Sequence, residues 1–107
     1  MDRLNLELLH KICHNGNVTW TMHSIKRVRE RSIKMSDVLA CIQQGEIIEQ
    51  YAADYPHPSC LINAEISGKH LHAVVSCDGQ RIYVITAYIP TLEEWESDYK
   101  TRKEQQQ

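Results

Sequence analysis

The chain has 107 residues, of which 42% are apolar and 24% charged, with a formal net charge of −2. That length holds one domain around one core, and the balance is that of a folded globular protein rather than a disordered or fibrous one. No apolar run reaches the roughly 18 residues a membrane helix needs, and the acidic total argues against general, non-specific attraction to nucleic acid.

The chain order begins with "DRLNLELLHKICHNGN", in which Leu4, Leu8 and Ile12 recur every four residues with Leu9 beside them. That spacing predicts an amphipathic helix within residues 1–15, stopped by Asn15-Gly16. "VTWTM" has some strand character, and Thr21 is placed to cap a helix beginning just after it. From His23 the period is helical again. Ile25, Val28 and Ser32 are expected on one side, while His23, Arg27 and Arg31 stand at i, i+4 and i+8 on another. Side chains four apart are neighbours on a helix surface, so an imidazole and two guanidinium groups would share one stripe. "KMSDVLACIQQGE" predicts a second short helix, with Ser36 as N-cap, Val38, Leu39 and Ile42 inward, and a stop at Gly45.

The period then changes to that of strands. "EIIEQY" precedes the turn-forming "DYPHP", "PSCLINAEI" comes after it, and "HLHAVVS" and "RIYVITAYI" are joined by the Asp-Gly-containing "CDGQ". Residues two apart share a face of a strand, which groups Thr86 with Tyr88 and His70 with His72. "TLEEWESDYKTRKEQQQ" begins with a capping Thr91 and early Glu residues and ends in basic ones. It carries Trp95 and Tyr99 at i, i+4, predicting a C-terminal helix anchored in the core by Trp95. Residues 103–107 read as a frayed tail. The expected fold is therefore α+β, with N-terminal helices, a four-stranded mainly antiparallel sheet and a C-terminal helix, all in a single domain spanning 1–107.

The net charge conceals an asymmetry. Residues 1–35 carry seven Lys or Arg against three acids, and the remainder five against eleven. The positive charge concentrates in "HSIKRVRERSIK", residues 23–34, so a local phosphate-binding surface is compatible with an acidic protein. The start, "MDRLNLELLH", lacks the apolar core of a secretory signal, and cytoplasmic residence is the expectation. Cys13, Cys41, Cys60 and Cys77 form no tight pair, and the last three lie in apolar runs, so reduced and mostly buried thiols are expected. His57, Cys60, His70, His72 and Cys77 lack the spacings of a zinc site.

Several of these motifs, in order, carry a family likeness. "HSIKRVRERSI", "SDVLACIQQGEIIEQY", "YPHPSCLI", "LHAVVS" and "VITAYIPTLEEWESDYKTR" together resemble the bacterial domain of unknown function 4258 family, over about residues 20–102. That family looks like a branch of the RelE-type fold, the small metal-independent ribonucleases of toxin–antitoxin pairs. The resemblance implies a metal-independent endoribonuclease toxin acting by 2′-OH attack, on free RNA or ribosome-bound mRNA. It also implies a protein antitoxin as partner, in some cases with a zinc-finger module. The chain departs from the family at Ser32, where Gly is common after the second Arg. If that position requires a left-handed backbone, Ser32 is strained there.

Metal-free RNA cleavage needs a base for the 2′-OH, an acid for the leaving oxygen and cations for the developing charge. Imidazole moves protons near neutral pH, and arginine forks onto phosphate oxygens. The expected catalytic set is His23, Arg27, Arg31, His72 and Tyr88, with Lys26, Arg29, Lys34 and Thr86 contacting RNA, no cofactor and no metal. The alternative is a non-catalytic RNA- or protein-binding module of the same fold. Each residue also has a plain structural reading: His72 as a buried, hydrogen-bonded histidine, the arginines as members of carboxylate pairs, and Tyr88 as a core ring.

Overall fold

A computed structural model describes residues 4–104. Three helices and five strands succeed one another in chain order: α1 (Leu6–His14), β1 (Val18–Trp20), α2 (Met22–Glu30), α3 (Met35–Gln44), β2 (Glu46–Tyr51), β3 (Ser59–Ile66), β4 (Lys69–Cys77) and β5 (Ile82–Tyr88). The sheet order is β1-β5-β4-β3-β2. β1 lies parallel to β5, and the other neighbours are antiparallel. Mixed α+β architecture was thus legible, but the sheet has five strands instead of the expected four. "VTW" is too short to declare itself by alternation, and it becomes a strand only by pairing with Ile82, Tyr83 and Val84.

Local chemistry explains most boundaries. Asn5 caps α1 by accepting from the Leu8 amide at 3.1 Å. Thr21 and Ser24 close a reciprocal capping box at the start of α2, with bonds of 3.0 and 2.9 Å, a motif worth about 1 kcal/mol. α3 begins earlier than Ser36 suggested: Lys34 occupies the N-cap without a side-chain bond. The amphipathic reading of the first helix also needs correction, because Leu9 and Ile12 are buried while Leu8 is exposed and Leu4 precedes the helix. On α2 the buried side chains are Ser24 and Val28, and Ser32 is exposed.

Gly45 ends α3, although with extended φ and not in the left-handed region. Its role is clearance. A Cβ there would sit 2.5 Å from the Cys41 carbonyl oxygen and 2.7 Å from that of Asn63, both backbone atoms that cannot step aside.

Alternation along the strands divides the sheet into two faces. Cys60, Ile62 and Ala64 of β3 join Leu71, Ala73 and Val75 of β4, Ile82 and Val84 of β5, and Leu9, Val28, Val38 and Ile42 of the helices in one core. The three buried thiols Cys41, Cys60 and Cys77 are free, as is the half-buried Cys13. The opposite face carries Leu61, Asn63, His70 and His72, and Tyr88 pairs with His72 across β4 and β5.

That second face is covered by residues 91–102, and here the expected C-terminal helix does not form. Thr91 starts a single turn, its carbonyl accepting from the Glu94 and Trp95 amides. Asp98 then takes the amides of Lys100 and Thr101 on its own carboxylate, at 2.9 and 3.0 Å. Tyr99 adopts φ 57°, and the chain doubles back so that Trp95 bridges Arg102. An Asp offering its side chain to nearby amides competes with helical pairing, and here it wins. Trp95, 1% exposed, is nevertheless the anchor expected. Of the expected frayed tail, residues 105–107 lie outside the described residues, as do residues 1–3 of the first predicted helix.

Candidate functional site

α2 packs against β5, and its charged stripe divides between two places. Arg27 Nε donates to His23 Nε2 at 3.3 Å on the exposed surface. That bond requires a lone pair on the imidazole nitrogen. His23, Lys26 and Arg29 line a shallow hollow with Met22, Ile25 and Glu30. Arg31 turns the other way. Its Nη1 donates to Thr86 Oγ1 at 3.0 Å and to the Ala87 carbonyl at 2.8 Å, tying the end of α2 to β5. Among the described residues no carboxylate pairs with Arg27 or Arg31.

The turn after Arg31 depends on Ser32. The Ile33 amide reaches back to the Val28 carbonyl at 2.8 Å and the Ser32 amide to that of Arg29 at 3.1 Å, the paired bonds of a Schellman ending. Its left-handed position, normally glycine, is Ser32 at φ 57°. The strain foreseen from the departure at this position is present in the backbone.

Beyond that turn lies a cleft of about 480 Å³, bounded by Arg31, Ser32, Lys34 and Asp37 on one side and by Ser67, Lys69 and His70 on the other. The second wall is the β3–β4 hairpin. Ser67 and Gly68 both have positive φ, 53° and 81°, the signature of a tight two-residue hairpin loop. Lys69 and His70, which follow the turn, both line the cleft, with the His70 ring on the sheet face that carries Tyr99. Three basic residues and a histidine thus line the cleft with one acidic residue. Of these residues the sequence pattern had singled out Arg31 and Lys34 and missed Lys69 and His70. The only available signal was the His70-x-His72 pattern, and it points equally to both.

His70 is half-buried. Its Nδ1 lies 3.1 Å from Asn63 Oδ1, and its ring stacks on Tyr99 with centroids 4.5 Å apart. A ring nitrogen facing an amide oxygen carries the proton, which leaves Nε2 as the free basic nitrogen.

His72, two residues on, is fully buried. Its Nε2 is 2.7 Å from the Tyr99 carbonyl, which can only accept, so Nε2 carries the proton; Nδ1 takes the Tyr88 hydroxyl at 3.3 Å. Both nitrogens are engaged, and the ring stands edge-on to Trp95 at 4.6 Å. Burial lowers its pKa, so it stays neutral. Burial also raises the Tyr88 hydroxyl, which remains a phenol. Of these two predicted site residues, His72 ties the sheet to the C-terminal segment and Tyr88 supports His72 from the neighbouring strand.

That segment is pinned from outside as well. Arg102 forks onto Glu49 with bonds of 2.7 and 3.1 Å and lies over the Trp95 ring at 4.6 Å. Burial pushes the Glu49 carboxyl up, but the bonds from Arg102 and the Tyr51 hydroxyl outweigh it and hold it below the usual carboxylate range. Burial and the Glu49 bond push Tyr51 up to about 12. Lys100 pairs with Glu46.

Among the described residues no three His, Cys, Asp or Glu side chains gather where a metal ion could sit. No helix there is long and apolar enough to cross a membrane.

The sequence model described as "Domain of unknown function (DUF4258)" matches residues 20–89. The chain belongs to that family. The match takes in α2, the Ser32 turn, the β3–β4 hairpin and all of β5, and therefore both walls of the cleft. It stops at Ile89, so the covering segment that holds Trp95 and Tyr99 falls outside it. No curated protein and no solved structure matches the chain.

Proposed function

We propose that this member of the family is a RelE-like, metal-independent endoribonuclease toxin of a toxin–antitoxin pair. It would act in the cytoplasm, with a protein antitoxin covering its basic cleft. The observation that carries this reading is Arg31, whose guanidinium is held by β5 and which lines a cleft together with Lys34 and Lys69. An arginine positioned by neutral acceptors keeps its whole charge for a ligand, whereas one paired to a carboxylate does not. Cations fixed around one phosphodiester are what the developing phosphorane charge requires.

Cleavage would proceed by attack of the 2′-oxygen on phosphorus. The O2′–P bond forms, the P–O5′ bond breaks, and the products are a 2′,3′-cyclic phosphate and a 5′-hydroxyl. The purified chain should therefore degrade single-stranded RNA in EDTA and leave cyclic-phosphate ends. The double reversal K34E/K69E should weaken RNA binding by at least tenfold and flatten its salt dependence, since each phosphate contact contributes to the slope. An intact substrate in EDTA would sink the enzyme reading.

One observation favours the non-catalytic binding module instead. Neither histidine expected to transfer protons shares the lining of Arg31's cleft: His23 lines a different hollow and His72 is sealed. RNA bound but never cut would support that module.

A further inference from the structure

We infer that the proton-transfer residue of this site is His70, and that its ligand is the ribose-phosphate link of single-stranded RNA. The inference rests on the nuclease reading above and names the group that reading lacks. Four features single out His70. It alone among the histidines lines the cleft that holds Arg31, Lys34 and Lys69. Its Nδ1 is committed to the buried Asn63, which is 4% exposed. Its ring is clamped flat against Tyr99, 25° from parallel. Its Nε2 has no hydrogen-bond partner among the described residues and is not among their sealed, unpartnered polar atoms.

An imidazole held at one nitrogen by a fixed acceptor, with the other nitrogen unpartnered and unsealed in a residue that lines a cleft, is oriented for proton transfer. The amide oxygen of Asn63 accepts from Nδ1 whether or not Nε2 is protonated, so it supports both halves of a cycle. The charged groups around the ring complete the setting. Lys69 precedes it, Arg31, Lys34 and Asp37 line the same cleft from the α2–α3 corner, and Glu65 is its cross-strand neighbour. Glu65 makes no ion pair with the ring.

In the step itself His70 Nε2 takes the proton of the 2′-hydroxyl as O2′ bonds to phosphorus. The P–O5′ bond breaks, and the departing O5′ takes a proton from water. His70 then returns its proton to the hydroxide so formed, leaving the protein unchanged. Arg31, Lys34 and Lys69 hold the non-bridging oxygens. Single-stranded RNA fits better than duplex because the link must rotate its 2′-oxygen into line with the leaving oxygen.

The test uses the full chain, an RNA oligonucleotide as substrate in EDTA, and the same oligonucleotide with 2′-deoxy residues as an uncleavable binding probe. H70A should cut at least ~100-fold more slowly, with probe affinity within about threefold of wild type. H70N should behave alike, because its amide can keep the Asn63 bond while lacking a basic nitrogen. It serves if H70A unfolds. H14A, at the end of α1, should cut as wild type does. The probe should shift the His70 ring resonances in NMR spectra. A cutting wild type whose rate survives in H70A or H70N, or is lost only in H23A, overturns the assignment and leaves the nuclease reading standing. A wild type that shifts His70 with the probe but never cuts RNA overturns the nuclease reading and the catalytic role together. An unshifted His70 overturns the ligand assignment.

Discussion

His70 and His72 stand on the same face of the same strand, one pleat apart, and have opposite fates. His72 has both nitrogens occupied, no exposure and Trp95 against its edge. His70 has one nitrogen held and the other free at the rim of a basic cleft. Between them lies Tyr99, whose carbonyl bonds one ring and whose own ring stacks on the other. The covering segment therefore does two jobs with one residue: it seals a structural histidine and orients an open one. Histidines of the same face and strand acquire different chemistry from what is laid over them, not from the strand.

Substitutions on the two sides of Tyr99 should separate these roles. The largest effect is expected from W95A, which empties the site that closes over His72. Truncating a fully buried Trp costs about 3–5 kcal/mol, to be read from urea unfolding. If W95A costs less than ~1 kcal/mol, the segment is a loose cover and the contrast collapses. A smaller effect of opposite sign is expected on the cleft side. S32G removes a side chain from a left-handed position at φ 57° and should stabilise by about 1 kcal/mol. A lower melting temperature in S32G would show that the Ser32 side chain makes up for its own strain.

The gentlest probe is pH. Burial lowers the His72 pKa in the folded protein, so between that value and the unfolded ~6.5 the unfolded chain binds more protons. Stability from this residue is complete above the unfolded value and declines as pH falls below it. H72Q should flatten that decline in unfolding free energy measured across the acid side of neutrality. An identical slope in H72Q would mean that His72 is not the buried neutral imidazole its two bonds indicate.

Much of the molecule was readable from residue order because the relevant physics is local. The Thr21 cap, the paired strands joined at Asp78-Gly79 and the switch from helical to strand period each depend on side chains a few residues apart. The left-handed backbone at Ser32 was an expectation of the family resemblance, conditional on that position requiring it. The covering segment misled for an equally local reason. Glu93 and Glu94 early, Trp95 and Tyr99 four apart and basic residues late are helix signals, but Asp98 captures amides that a helix would use. Helix signals and the Asp98 turn are thus in competition over the same amides. Docking of Trp95 onto the sheet and Arg102 onto Glu49 decides it.

The candidate site divides along the same line. The sequence alone determined that positive charge gathers on α2 and that His70 and His72 share a face. It could not say which residues meet, because meeting is set by contacts distant in the chain: Arg31 to Thr86, 55 residues apart, and His72 to Tyr99, 27 apart. Only the tertiary structure sent Arg31 away from His23, brought the β3–β4 hairpin to its side, and closed one imidazole while leaving its neighbour open. Side-chain periodicity assigns a residue to a face, whereas burial, charge partners and access belong to whatever packs on that face.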